Sequence, residues 1–374
     1  MNVRLGLKDV VALHSDISRI DEKGILEYRG YDIRDLALNS SYEEVAHLLW
    51  HGRPPRKKEL DEFTEDLAKR RELRPEIIGL LSNLSNLPKP THPTVVLRTA
   101  VSYLGSLDKK IHEINPEENL EKSKNLLAKL PTIVAYYQRM RDNKPLVHPD
   151  RDLGHASNFL WMLYGRKPEE VEENTMNLDL VLHAEHTLNA STFSARIAAS
   201  TLSDMYAGIV SATGTLFGPL HGGASQKAIE MLREIREKNI EVEDWVEEKL
   251  QKRERIMGFG HRVYNGTDPR AEELEKWLEK LDDLRGGGWY RVSKKLADVV
   301  YAKKGLYPNV DYYAAFVYTN LGIPDDLFIN IFALGRIAGW TAHLMEQYKN
   351  NTLIRPLQNY TGEKNKNYIP IEDR

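Results

Sequence analysis

The sequence predicts an almost all-α fold in which a large helical domain carries a smaller inserted helical domain. Apolar residues recur at helical spacing, as in Leu60, Phe63 and Leu67, whereas strand-like alternation is scarce and short. At 374 residues the chain exceeds the usual single-domain size, which favours a large domain beside a small one. Between Gly222 and Gly322 the helical patterns shorten and become more charged, which suits an insertion between two helices of the larger domain, with a cleft at the crossover. The expected division is 1–221 with 323–374 for the large domain and 222–322 for the small one.

Taken in order, Ser41 to Glu44 reads as a capping box ahead of Val45, Leu48 and Leu49. Breaks are expected at Pro88 to Pro93, at Lys144 to Asp152 and at the run Gly286 to Gly288, with a new start at Pro324 after Gly322. Apolar helical windows over 155–164, 176–215 and 327–345 should form the central core. Ala228 to Lys238 and Ala271 to Leu281 read as shorter helices of the insertion.

Composition excludes several classes of function. The 52 Lys and Arg against 55 Asp and Glu give a formal net charge of −3, so no global positive field exists to hold nucleic acid. Arg4, Lys8, Asp9 and His14 interrupt the first apolar stretch, and no later window supplies about 18 uninterrupted apolar residues. Neither a membrane partner nor a signal segment is expected, and the location expected is cytoplasmic. The absence of cysteine excludes disulfides, thiolate metal sites and a thiol nucleophile.

Chemistry concentrates in the second half of the chain. In GPLHGGA, Pro219 halts one element while Gly222 and Gly223 allow tight backbone at a helix start, placing His221 near a helix N-terminus. The dipole there disfavours imidazolium, so a neutral His221 can donate to a carbonyl oxygen that gains charge; a plain turn histidine is the alternative. In MGFGHRVY, Met257, Gly258, Phe259 and Gly260 let backbone approach a ligand beside His261, and Lys252, Arg253 and Arg255 are candidates for its phosphates or for a solvated helix end. Asp311, among Val310, Tyr312 and Tyr313 with no basic neighbour, is either a desolvated base of raised pKa or a helix cap. Two imidazoles and a carboxylate suit proton abstraction beside a carbonyl.

Two arginines call for counterions. Arg336 is the only charged residue from Leu327 to Met345, so its partner comes from elsewhere: a substrate carboxylate or a buried acidic side chain. Arg270 follows Asp268 and Pro269 in a helix's first turn, where a cation opposes the dipole unless an anion is near. His183 and His186 in HAEH, read as one helical face, are compatible with a metal pair. Without HExxH or cysteine partners, no metal site is expected, and one of the two is expected to donate to ligand while the other packs in the core.

Together YRGYDI, THPTVVLRTA, HASNFLWML, HAEHTLNASTFSAR, GPLHGGA, GFGHRVY, DPRA, YPNVDYY and LIRP resemble the citrate synthase family over nearly the whole chain. The resemblance implies a homodimer that condenses acetyl-CoA with oxaloacetate and hydrolyses citryl-CoA, with no cofactor. By motif, Asp311 removes the methyl proton, His221 hydrogen-bonds the thioester oxygen and His261 polarises the ketone. It implies an oxaloacetate site of His186, His261, Arg270 and Arg336, completed by Arg355 from the partner subunit, and a CoA site at Met257 to Gly260. Asn265 stands where many relatives carry Lys, and Ala314-Ala315 where Ser-Gly is frequent, which bears on the acyl-CoA accepted. A 2-methylcitrate synthase using propionyl-CoA is the near rival; a non-catalytic helical scaffold or ligand sensor is the rival of another class.

Overall fold

The computed structural model describes residues 3–7, 9–261, 263–264 and 266–374; Asn265 lies outside the described residues. Near the start, β1 (Ser18–Ile20), β2 (Leu26–Tyr28) and β3 (Tyr31–Asp32) form a small antiparallel sheet in that order. Arg29 and Gly30, with φ of 50° and 86°, make the turn between β2 and β3. The fold is therefore predominantly rather than purely helical; strands of two or three residues are too short for alternation to register. Tyr28 is buried, and its hydroxyl donates to the Glu185 carbonyl at 2.8 Å, tying the sheet to the core.

Helices follow in two groups. The first comprises α1 (Ile33–Asn39), α2 (Tyr42–His51), α3 (Lys57–Arg70), α4 (Pro75–Ser85), α5 (Pro93–Ser106), α6 (Pro116–Arg141), α7 (His155–Tyr164), α8 (Glu170–His183), α9 (Ala190–Ser200) and α10 (Met205–Leu216). Their starts follow local chemistry: Ser41 Oγ accepts from Glu44 N at 3.2 Å, Asn115, Asn189 and Asp204 cap in the same way, and proline occupies the first turn of α4, α5 and α6. The expected continuous helical window over 176–215 is divided into α8, α9 and α10, because Asn189 and Asp204 restart the helix where apolar periodicity alone would carry through.

The second group is α11 (Ala224–Glu237), α12 (Val242–Gln251), α13 (Pro269–Arg285), α14 (Trp289–Lys304) and α15 (Val310–Asn320), after which α16 (Phe328–Lys349) returns to the first. α13 and α11 pack on α15, and α12 packs on α14, forming the smaller helical body beside the larger one. α16 runs through the large body against α2, α6, α8, α9 and α10. With its leading turn it is long and apolar enough to cross a membrane, yet its apolar window is wholly buried among these helices.

Close approach of α16 to the end of α8 requires glycine. Gly339 N donates to the Ala184 carbonyl at 3.1 Å, and a Cβ on Gly339 would collide with that carbonyl and with Glu185 Oε2. Gly339→Ala is expected to cost about 1–3 kcal/mol through overpacking. An unchanged midpoint in denaturant unfolding would contradict this packing.

Candidate active site

A cleft of about 1110 Å³ opens where the two helical bodies meet. Its walls carry His186 after α8, His221 before α11, His261 in the loop before α13, Arg270 and Asp311 in the first turns of α13 and α15, and Phe332 and Arg336 on α16. His183 and His186 do not share a helical face: α8 ends at His183, and the chain turns so that His186 enters the cleft while His183 stays buried. His186 Nε2 lies 3.0 Å from the Tyr264 hydroxyl, and its ring meets that of His261 edge-on at 5.1 Å.

The turn that presents His221 is compact enough to admit only glycine. A Cβ on Gly222 would lie 2.9 Å from the Leu216 carbonyl oxygen, and one on Gly223 3.1 Å from Pro219 Cα. Burial first, then the Arg336 and Arg270 charges, lowers the His221 pKa to about 4. Burial and the two guanidiniums both favour the neutral imidazole. His221 Nε2 is 2.8 Å from Ser191 Oγ, and Ser191 in turn accepts from Trp340 Nε1 at 3.2 Å.

His261 has an assignable tautomer. Its Nδ1 accepts backbone N–H groups from Val263 at 3.0 Å and Tyr264 at 3.3 Å, so the ring proton of the neutral form sits on Nε2. Burial and Arg270 lower its pKa to about 4, against the opposing pull of Asp268.

Asp311 lies inside the first turn of α15, not at its cap, which is Asn309. Its Oδ1 is buried without a hydrogen-bond partner, and desolvation raises the pKa to about 6. Neighbouring Ala314 and Ala315 are buried in α15 and are not among the residues that line the cleft.

The arginines divide into paired and unpaired. Arg270 meets its anion within the chain: Asp268 caps α13 through Arg270 N and holds Arg270 Nε at 3.0 Å and Nη2 at 2.8 Å. The expected clash of cation and dipole is thus settled by the capping residue itself. Arg336 Nε donates to the His183 carbonyl at 2.6 Å, while Nη2 is buried without a partner, and burial lowers its pKa to about 10. No described carboxylate forms an ion pair with it. Arg355 is exposed on the extended segment after α16, outside this chain's cleft.

Met257 to Gly260 line the cleft as expected, but of Lys252, Arg253 and Arg255 only Arg255 does so; Lys252 pairs with Glu248 on α12. Gly258 and Gly260 have φ of 84° and 78°, and a Cβ on Gly258 would press on Tyr312 at 3.0 Å. The loop is stapled to the entry of α15: Gly260 N donates to Tyr307 O at 2.8 Å, and Asn309 N to Gly258 O at 2.9 Å. Sequence reasoning missed Asn189, Phe332, Lys304, the orienting Ser191, and Leu7 and Val10 of the leading segment, which also line the cleft apart from Ser191. Asn189 and Ser191 stood within HAEHTLNASTFSAR; nothing local marked the others. Among the described residues no group of three or more His, Asp or Glu is placed to hold a metal ion.

A helical fold of large and small bodies, with two imidazoles of lowered pKa and a carboxyl of raised pKa lining one cleft, is suited to carbon-acid condensation chemistry. Residues 6–357 match the family model described as citrate synthase, C-terminal domain, and the chain belongs to the citrate synthase family. It is 48% identical to citrate synthase 2 of Bacillus subtilis over 100% of both chains, and 41% identical to 2-methylcitrate synthase 1 of Corynebacterium glutamicum over 100% of this chain and 98% of that one. The solved citrate synthase of Thermoplasma acidophilum, in ternary complex with carboxymethyl coenzyme A and oxaloacetate, superposes with a TM-score of 0.93 at 33% identity over 100% of both chains.

Since His221 and His261 have pKa values of about 4 in the fold, each contributes stability that is present above the ordinary 6.5 and lost as pH falls through about 4. Histidine-resolved NMR should find both neutral from pH 5.5 to 8. Protonation of either near pH 6.5 would refute the burial-driven shift.

Proposed function

We propose that this chain is a citrate synthase, joining the methyl carbon of acetyl-CoA to the ketone carbon of oxaloacetate and hydrolysing citryl-CoA to citrate and CoA. The observation that carries this reading is the convergence on one cleft of two neutral imidazoles, a carboxyl raised to about 6 and a buried guanidinium with an unpaired nitrogen.

The chemistry follows from the proton positions. Asp311 takes a methyl proton as His221 donates to the thioester oxygen, so charge leaving the carbon is stabilised as an enol rather than a free enolate. Ser191 Oγ has two acceptors at 2.8 Å, His221 Nε2 and Asn189 Oδ1; donation to the ring leaves the imidazole proton on Nδ1, free for the thioester. His261 donates from Nε2 to the ketone oxygen, making that carbon electrophilic as the enol carbon attacks. Water then cleaves the citryl thioester.

Arg336 and Arg270, with His186, hold the two oxaloacetate carboxylates, and the planar unpaired edge of Arg336 suits one of them. Met257 to Gly260 receive CoA through backbone, with Arg255 toward its phosphates. We assign Arg355 to the oxaloacetate site of a second copy, which makes the functional unit a homodimer. Closure of the small helical body, 222–322, over the large one excludes water until citryl-CoA has formed.

The base is tested by following oxaloacetate-dependent release of free CoA with a thiol reagent, which meets no cysteine in this protein. Asp311→Asn should lower kcat by roughly 10²–10⁴-fold. Retained turnover would remove Asp311 from the mechanism. Acetyl-CoA is expected to exceed propionyl-CoA in kcat/KM; the reverse order would reassign the enzyme to 2-methylcitrate synthesis.

Sharing of Arg355 has its own test. Inactive Arg355→Ala and inactive Asp311→Asn proteins, mixed under subunit exchange, should recover about a quarter of wild-type activity, because half the dimers then contain one intact site. No recovery despite verified exchange would refute the shared site.

A further inference from the structure

Two buried polar atoms beside the assigned base lack hydrogen-bond partners: Asp311 Oδ1 and His183 Nε2. Burying either group unpaired is destabilising, and each such orphan in a folded protein calls for an explanation. His183 otherwise looks like a packed core histidine. Its surroundings are more specific than that.

Asp179 and His183 lie four residues apart on α8, on one helical face, and Asp311 and Tyr318 lie two turns apart on one face of α15. The Tyr318 hydroxyl donates to Asp179 Oδ2 at 2.8 Å, joining the two faces. His183 Nδ1 is 2.9 Å from the Asp179 carbonyl oxygen and 3.2 Å from Asp179 Oδ1, so Nδ1 is the donor and carries the ring proton. In the neutral ring Nε2 then presents a lone pair. Phe332 packs edge-on against the ring at 4.7 Å, and Gly335 backs it so closely that a Cβ there would lie 2.8 Å from His183 Cβ. The His183 ring lies within electrostatic reach of Asp311, where a positive charge on it would lower the carboxyl's pKa and a neutral ring would not.

We propose that His183 is a positioning residue for Asp311: its Nε2 lone pair accepts a hydrogen bond from the Asp311 carboxylic acid after that group has taken the substrate's methyl proton. The newly protonated oxygen reaches Nε2 by a half-turn of the carboxyl about Cβ–Cγ. The proton stays on Asp311, and no bond to His183 forms. Asp179 and Tyr318 hold the ring in the tautomer that leaves Nε2 open. The inference rests on Asp311 being the base.

The sign of the effect is testable. An acceptor for the acid form stabilises that form, so its loss moves the acid limb of the kcat/KM profile, set by Asp311 near pH 6, to lower pH. A proton fixed on Nε2 would give the opposite shift. His183→Leu is expected to lower kcat by about tenfold or more, with the KM for oxaloacetate within a factor of about two, and to move the limb down. His183→Gln, whose amide oxygen replaces the lone pair, should restore the limb. Tyr318→Phe, which removes only a hydroxyl and guards against misfolding of the first variant, should give a smaller downward shift. A limb unmoved or raised in folded variants would overturn the role of His183. A wild-type profile with no acid limb would overturn both this inference and the assignment of Asp311.

Discussion

One guanidinium, buried in the middle of the longest apolar helix, sets the terms for the rest of this protein. Arg336 has given up water and received a backbone carbonyl and the face of the Phe332 ring in return. Leaving such a charge without a carboxylate costs several kcal/mol, a debt that packing against the surrounding helices must offset. The unmatched charge is a standing demand for an anion.

The same dry environment has opposite effects on the acids and bases around it. Burial disfavours whichever form is charged, so it lowers His221 and His261 while raising Asp311, bringing all three toward neutrality. Arginine resists this pressure because its intrinsic pKa is so high. Permanent positive charge therefore comes from guanidiniums, and adjustable protons come from imidazoles and one carboxyl. Hydrogen bonds at Nδ1 set what Nε2 carries: a proton in neutral His261, whose Nδ1 accepts, and a lone pair in a neutral His183, whose Nδ1 donates.

Much of this was legible in the sequence because it depends on residue type in local context. Pro219, Gly222 and Gly223 announce a tight turn, Asp268-Pro269 announces a helix start, and a lone arginine in an apolar helix announces an unmet charge. What escaped depends on the third dimension or on competition between local signals. Apolar periodicity ran through 176–215 and concealed two restarts, which placed His183 and His186 on one helix when they belong on either side of its end. The pairing of Arg270 with Asp268 was missed because a cap was credited only with its backbone bond, although a carboxylate has a second oxygen to offer. Ser191 reads as an ordinary first-turn serine until the fold brings His221, thirty residues away in sequence, against it.

The stapling of the Gly258–Gly260 loop to Tyr307 and Asn309 has a mechanical consequence. Asn309 caps the helix whose first turn carries Asp311, so the loop and that carboxyl are joined as one lever rather than two independent parts. Under the proposed function, a carrier held at the loop would be brought into register with the carboxyl at the other end. A short thioester lacking the long handle would still fit the reaction chamber, but nothing would set the lever for it. Discrimination against such truncated carriers would then be expressed in velocity more than in occupancy, and the distant handle would act as part of the tool.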